Sequence, residues 1–239
     1  MSRNAAIRRI TLSKIQIRRQ STKMKRRAPR SEMHGKILDA TDHLLARYGY
    51  RKMTMDDLAD EVGIGKGTIY LHFRSKEHVV YSHIDRVIGR LLKRLQEVVH
   101  GRLSPTDKIR EMIVLRVIFR FDSVQHFPES LSDMFRDLRP GISRHREGHF
   151  KEEAKLFSAV LKEGQTAGVF RNGDRRALAY SLLAATNSML PFHLSTRELG
   201  NRRDVQKTVE LIADLVLNGI LSRSTKANAA KARARRALQ

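Results

Sequence analysis

From Thr54 to Lys76 the chain reads TMDDLADEVGIGKGTIYLHFRSK. Thr54 followed three residues later by Asp57 has the form of a capping box, in which hydroxyl and carboxylate exchange hydrogen bonds with orphan backbone N–H groups. Leu58, Ala59 and Val62 then fall on one apolar helical face. Gly63 suits the left-handed residue that ends a helix, Ile64 is placed to plug the turn, and Gly65 is a tolerable N-cap for the next element. Lys66 to Phe73 predicts about two further helical turns, with Lys66, Gly67 and Thr68 at the leading end. Ser75 predicts the cap of a third, long helix. Two short helices around a tight glycine-bearing turn are the layout whose second helix enters the DNA major groove.

A phosphate-binding loop is the rival reading of GIGKGT. That loop needs Gly five residues before the Gly of its Gly-Lys pair and Ser or Thr after the Lys, where this chain has Asp60 and Gly67. No strand pattern precedes the segment, so the nucleotide reading is set aside.

The run G-I-G-K-G-T-I-Y-L-H-F-R-S-K-E resembles the recognition helix and following segment of TetR-family transcriptional regulators. Tyr70, His72, Phe73, Ser75 and Lys76 fall on that family's signature, and the resemblance covers residues 31–80. Gly65 departs from it, since Ser or Thr often caps the recognition helix there. The resemblance implies an all-α chain of about nine helices: an N-terminal three-helix helix-turn-helix domain, then a helical regulatory and dimerisation domain. On this reading residues 1–30 are a basic arm, 31–77 the DNA-binding domain with a linker helix over 76–100, 102–221 the effector-binding and dimerisation domain, and 222–239 a basic tail.

Composition fits a polyanion partner. The 239 residues carry 47 Lys and Arg against 25 Asp and Glu, a formal charge of +22. Residues 1–30 hold eleven of the bases and 222–239 hold six, with no acid in either, so the intervening residues carry only +5. Such tails favour nucleic acid without specifying a sequence. The absence of Cys excludes disulfides, thiol catalysis and cysteine zinc sites, and fits a reducing compartment. Residues 1–30 lack the apolar core of a secretory signal. Their Arg-rich, acid-free composition also suits a transit peptide or a solvated tail, as well as a DNA-touching arm.

Along the chain, Ile37, Thr41, Leu44, Leu45 and Tyr48 form a helical stripe closed by Gly49. Lys76–His100 has its apolar side at Val79, Ile84, Val87, Ile88, Leu91, Leu95 and Val98. Five further helices are predicted at Lys108–Val124, Glu129–Leu138, Ser143–Thr166, Asp174–Leu194 and Asp204–Leu221. Pro105, Pro128, Pro140-Gly141 and several glycines serve as breaks. No alternating strand pattern or repeat stands out. Residues 177–196 carry no charge, but small and polar residues make them weak as a membrane span and better as a helix buried on two sides.

For DNA recognition, Lys66 is placed to donate to a guanine edge, Gly67 allows close backbone approach, and Thr68 and Leu71 can touch bases. The family pattern puts Thr54, Tyr70, His72 and Lys76 on phosphates; Ile69 and Phe73 read as core. If the resemblance extends to mechanism, the effector-pocket candidates are Met112, Leu115, Phe119, Phe135, Phe157 and Asn187, with Phe127 beside them, although each aromatic or Met also reads as ordinary core. The family's dimerising four-helix bundle would draw on Ala179, Leu183, Thr186, Leu190, Val209, Ile212 and Val216. Asn187, in an apolar helix, needs a partner from the other subunit, a ligand or water. His145/His149 and Asp122/His126 have i, i+4 ligand spacing, but no third ligand is identifiable and no metal is assigned. No nucleophile–base–carboxylate spacing is present, so no enzyme activity and no cofactor are expected. The expected partners are double-stranded DNA, a second copy and a small-molecule effector, with a cytoplasmic, nucleoid-associated location. The alternative is an architectural DNA binder without an effector.

Overall fold

The computed structural model describes residues 30–125, 128–191, 200–222 and 225. The arm over 1–29, most of the basic tail, Phe127 and His126 lie outside them. Residues 1–37 and 38–239 form two compact units. Of the first, residues 30–37 are described, and there Lys36 Nζ lies 2.9 Å from Glu32 Oε1. The helix-turn-helix and the helices after it belong together to the second.

Eight α-helices are present among the described residues: α1 Arg30–Lys52, α2 Met55–Val62, α3 Lys66–His72, α4 Lys76–His100, α5 Pro105–Val124, α6 Pro128–Thr166, α7 Arg175–Asn187 and α8 Arg202–Ile220. The only extended pairing among those residues is an isolated antiparallel bridge between Phe170 and Leu221. It ties the α6–α7 turn to the chain leaving α8, through Arg171 N–H to Ile220 C=O and Ser222 N–H to Val169 C=O, both 2.9 Å. No described helix is long and apolar enough to cross a membrane.

Local chemistry sets most boundaries. Gly49, at φ 72°, interrupts α1 where the sequence predicts closure. Just beyond this break Tyr50 is buried, whereas Tyr48, expected on the apolar stripe, is exposed beneath the Arg47 guanidinium. Ser104, Asp174 and Asn201 cap α5, α7 and α8 by accepting N–H groups of the first turn. Pro105 was expected to mark a helix end and instead opens α5, because the first helical position needs no N–H and favours proline's fixed φ.

Two predicted helices, Glu129–Leu138 and Ser143–Thr166, are one. The 39-residue α6 runs through Pro140-Gly141, although an interior proline normally costs a helix about 3 kcal/mol. Packing against α4 explains the glycine. A Cβ on Gly141 would collide with the Tyr81 ring, and the Tyr81 hydroxyl reaches Leu138 C=O at 3.4 Å. Gly141 therefore serves close approach, not termination.

The main core lies between α4, α5, α6, α7 and α8, around Leu91, Leu95, Met112, Val117, Phe157, Leu161, Leu183, Val209 and Leu217. Each such side chain contributes about 1.5–3 kcal/mol by leaving water. α7 ends at Asn187 rather than at Leu194, and residues 192–199 are not described.

Candidate nucleic-acid interface

The turn between α2 and α3 is built from its ends inward. Asp57 N–H donates to Thr54 Oγ1 at 3.1 Å, and Thr54 N–H donates to Asp57 Oδ2 at 2.8 Å, completing the capping box. The Thr54 hydroxyl also donates to Asp57 Oδ2 at 2.8 Å, and this bond first, then the one from Thr54 N–H, holds the Asp57 carboxyl below its usual range. Gly63, at φ 71°, takes the left-handed C-cap, and the N–H groups of Gly63 and Ile64 close onto Asp60 and Ala59 C=O at 3.1 and 2.9 Å. A side chain at that φ would be strained, so glycine is required here.

α3 then divides cleanly. Ile69 and the C-cap residue Phe73 have no exposed surface, and they anchor the helix to the protein. On the other side Lys66 and Gly67 are exposed, Thr68 is half-buried, and Tyr70 and Leu71 are 47% and 60% exposed. A Cβ added at Gly67 would meet nothing within 4 Å, which leaves room for close approach by a partner. Burying such large apolar side chains is what folding would favour, so their outward presentation marks a contact surface.

Three of the predicted DNA contacts are occupied within the protein. Lys66 Nζ donates to Asp56 Oδ2 at 2.7 Å, a bond that raises the lysine's pKa and keeps it charged. Lys76 Nζ donates to the carbonyls of Tyr50 and Arg51 at 3.0 and 3.4 Å and sits 4.4 Å above the Tyr50 ring. It therefore braces the end of α1. Thr54 is committed to its cap, and His72 is half-buried against the Phe73 ring. Arg51 forks onto Asp137 of α6, with Nε–Oδ2 3.0 Å and Nη2–Oδ1 3.2 Å, linking the end of α1 to the body. That contact joins residues far apart in sequence and has no local signature.

The predicted effector residues do not assemble. Met112 and Phe157 are fully buried in the core, while Leu115 and Phe119 line an open, charge-rich groove between α5 and α8. Asn187 Oδ1 accepts from Arg116 Nη2 at 2.6 Å, so its partner is in its own chain. Only Phe135 belongs to the apolar cleft at the junction of α1, α4, α5 and α6. That cleft holds about 540 Å³ of empty space, its mouth included, and is lined by Leu45, His83, Ile84, Val87, Ile88, Arg120, Ser123, Val124, Met134, Phe135 and Pro191.

Behind the cleft lies a buried ionic cluster. Arg116 Nε donates to Glu153 Oε2 and Arg116 Nη1 to Thr186 Oγ1, both at 2.6 Å. Arg120 donates to both Glu153 oxygens. Burial, reinforced by the Arg120 charge against the Glu153 attraction, pushes the Arg116 guanidinium down to about 10. Burial pushes the Glu153 carboxyl up, but Arg120 and Arg116 together reverse this and hold it below its usual range. The Glu153 direction follows from two cations sharing one anion, and the Arg116 direction chiefly from burial. Elsewhere, His145 Nδ1 and His149 Nε2 lie 2.9 and 3.0 Å from Asp85 Oδ1. Among the described residues no group of three side chains could hold a metal ion.

The residues proposed for dimerisation are largely internal. Ala179, Leu183, Thr186, Leu190 and Val209 are buried within the protomer, and Ile212 and Val216 are half-buried against the same core. The large apolar residues that α8 exposes are Leu211 and Leu215, at 64% and 72%.

Fold and site define a helix-turn-helix DNA-binding regulator, and comparison with known proteins agrees. Residues 37–81 match the model for bacterial regulatory proteins of the tetR family. The HTH-type regulator YhgD of Bacillus subtilis is 31% identical over 151 residues, covering 62% of this chain and 76% of that protein. The repressor KstR2 of Mycobacterium tuberculosis is 26% identical over 156 residues, covering 64% of this chain and 76% of KstR2. A Cytophaga hutchinsonii transcriptional regulator superposes with TM-score 0.65 at 20% identity, over 78% of this chain and 97% of that one. The chain belongs to the TetR family of transcriptional regulators.

Proposed function

We propose that this regulator is a repressor that binds a near-palindromic operator as a homodimer, one α3 per half-site, and leaves it when a small-molecule effector binds. The observation that carries the reading is the outward face of α3, where Tyr70 and Leu71 are displayed beside Lys66 on a helix anchored by Ile69 and Phe73. Two-fold symmetry of the protein would be mirrored in the operator. Lys66 reads a guanine edge once it leaves Asp56, Thr68 and Leu71 touch bases, and Tyr70 holds the backbone. Leu211 and Leu215 on α8 form the dimer contact, in place of the largely internal residues that the family resemblance implies. Residues 31–77 act as the DNA-binding part and 102–221 as the effector-binding and dimerising part, in the cytoplasm on the nucleoid.

Release follows if the effector prefers a conformer whose two heads are misaligned with the half-sites, since a ligand shifts an equilibrium only by its differential affinity. The test is selection of bound duplexes from a random pool, followed by footprinting of the best sequence. Two protected half-sites about 10 base pairs apart, or a multiple of that spacing, support the reading. Recovery of unrelated duplexes without a shared motif removes it.

A further inference from the structure

Asp56 stands at the leading end of the outward surface of α3 with a charge that the capping of its own helix does not need. It lies in the first turn of α2 beside Asp57, and the two acids are held differently. Asp57 is taken up by the capping box with Thr54. Asp56 instead reaches across the turn to the first residue of α3, with Oδ2 2.7 Å from Lys66 Nζ, and the two side chains keep 61% and 50% of their surface exposed. An exposed ion pair of this kind adds little stability. Lys66 and Tyr70, at i and i+4, share the solvent-facing side of α3. A carboxylate at the edge of that side approaches the DNA phosphates, where a negative charge opposes binding unless it finds a donor.

When Lys66 moves from Asp56 onto a guanine edge, the carboxylate loses its partner, and the same base pair offers a replacement. In the major groove guanine presents O6 and N7 as acceptors, and the paired cytosine presents its N4 amino group as a donor. O6 and N4 are the two ends of one Watson–Crick hydrogen bond, about 2.9 Å apart as in other N–H···O bonds. The Lys66 ammonium and the Asp56 carboxylate, 2.7 Å apart in the free protein, match that spacing with donor and acceptor reversed. Room is available, since a Cβ at Gly65 or Gly67, on either side of Lys66, would meet nothing within 4 Å.

We infer that Asp56 is a specificity-determining residue: it accepts from cytosine N4 of the base pair whose guanine Lys66 reads, and so fixes which strand carries that guanine. The assignment rests on the operator-binding reading. Lys66 alone is a flexible point charge that can follow a guanine to either strand. With Asp56 beside it, inverting the pair brings the carboxylate against guanine O6, acceptor against acceptor, and the inverted site is rejected.

The test uses the full chain and its Asp56→Ala and Asp56→Asn variants. Each is titrated by fluorescence anisotropy against the selected operator and against operators with single base-pair changes, inversions included. The pair read by Lys66 is the one at which Lys66→Ala flattens the preference. There the wild type should prefer G·C to its inversion by about ten- to a hundredfold, and both Asp56 variants should bring the ratio to within about threefold. Preferences at other pairs should stay as they are. Asparagine keeps the size of the side chain, so it holds the test open if alanine unsettles α2, and its amide suits either orientation because it both donates and accepts. An Asp56 that only steadies the start of α2 would lower the melting temperature, or weaken all operators alike, and leave the inversion ratio at its wild-type value. That result overturns the assignment, as does a Lys66-sensitive pair other than G·C, or none at all. If the wild-type protein selects no operator, the operator-binding reading falls and takes the assignment with it. An operator that is selected, and whose inversion ratio neither Asp56 variant changes, removes the assignment alone.

Discussion

The outer face of α3 and the interior around Arg116 use similar side chains in opposite ways. On α3, Tyr70 and Leu71 face solvent beside a lysine held by a single, half-exposed ion pair to Asp56. Every nitrogen of the Arg116 guanidinium has a partner, from Glu153, Thr186, Leu183 and Asn187. The exposed pair is weak and exchangeable, as surface ion pairs generally are. The buried cluster is costly to break because each charge would be stranded away from water. The protein thus keeps its replaceable interaction where a partner must enter, and its irreplaceable ones where the helices must stay in register.

The largest effect should come from breaking the buried side. Glu153→Ala strands two arginines and should lower stability by about 3–5 kcal/mol, read from urea unfolding. An equally stable variant would mean that water already reaches the cluster. On the exposed side, Lys66→Ala should leave unfolding unchanged and cost about ten- to a hundredfold in operator affinity at one base position, read from binding to single-base operator variants. Thr54→Ala should cost about 1 kcal/mol in stability through the lost cap, and melting curves would show it.

The smallest effect is a pH dependence. Burial, opposed by Asp42 and aided by Arg86 and Arg90, holds the His83 imidazole below its ordinary value. A histidine depressed in the folded state takes its proton more readily when unfolded. Its contribution is therefore intact above the unfolded pKa of about 6.5 and is lost as pH falls below it. The fall in urea midpoint between pH 7.5 and 5.5 should be shallower in His83→Gln, with the Asp85–His145–His149 contacts common to both proteins. Parallel curves would place the acid sensitivity elsewhere.

The same contrast explains what the sequence reveals. The turn around Gly63 is legible because caps and left-handed glycines act within a few residues; Thr54, Asp57, Gly63 and Ser75 all take the roles their spacing predicts. Periodicity also finds the buried faces of α7 and α8, but it cannot say what buries them. The family resemblance assigns Ala179 and Val209 to a dimer face, and they pack inside the protomer. Pro140-Gly141 reads as a break because the Tyr81 ring that explains the glycine lies sixty residues earlier. Arg116, Arg120 and Glu153 escape notice altogether, since charged residues are assigned to the surface unless a partner is known. Arg116 and Arg120 at i, i+4 on the apolar side of α5 were the available signal. His83, four residues after Val79 on α4, was another.

The outward face of α3 is expected to read bases and not merely to add charge. It is tested most directly by titrating the selected operator and a scrambled duplex with wild-type protein and Lys66→Ala across a range of salt concentrations. The wild type should prefer the operator by at least about 10³, and the variant should lose operator affinity while binding scrambled DNA nearly as before. Equal losses on both duplexes, with a flatter salt slope, would make Lys66 a phosphate contact and contradict it.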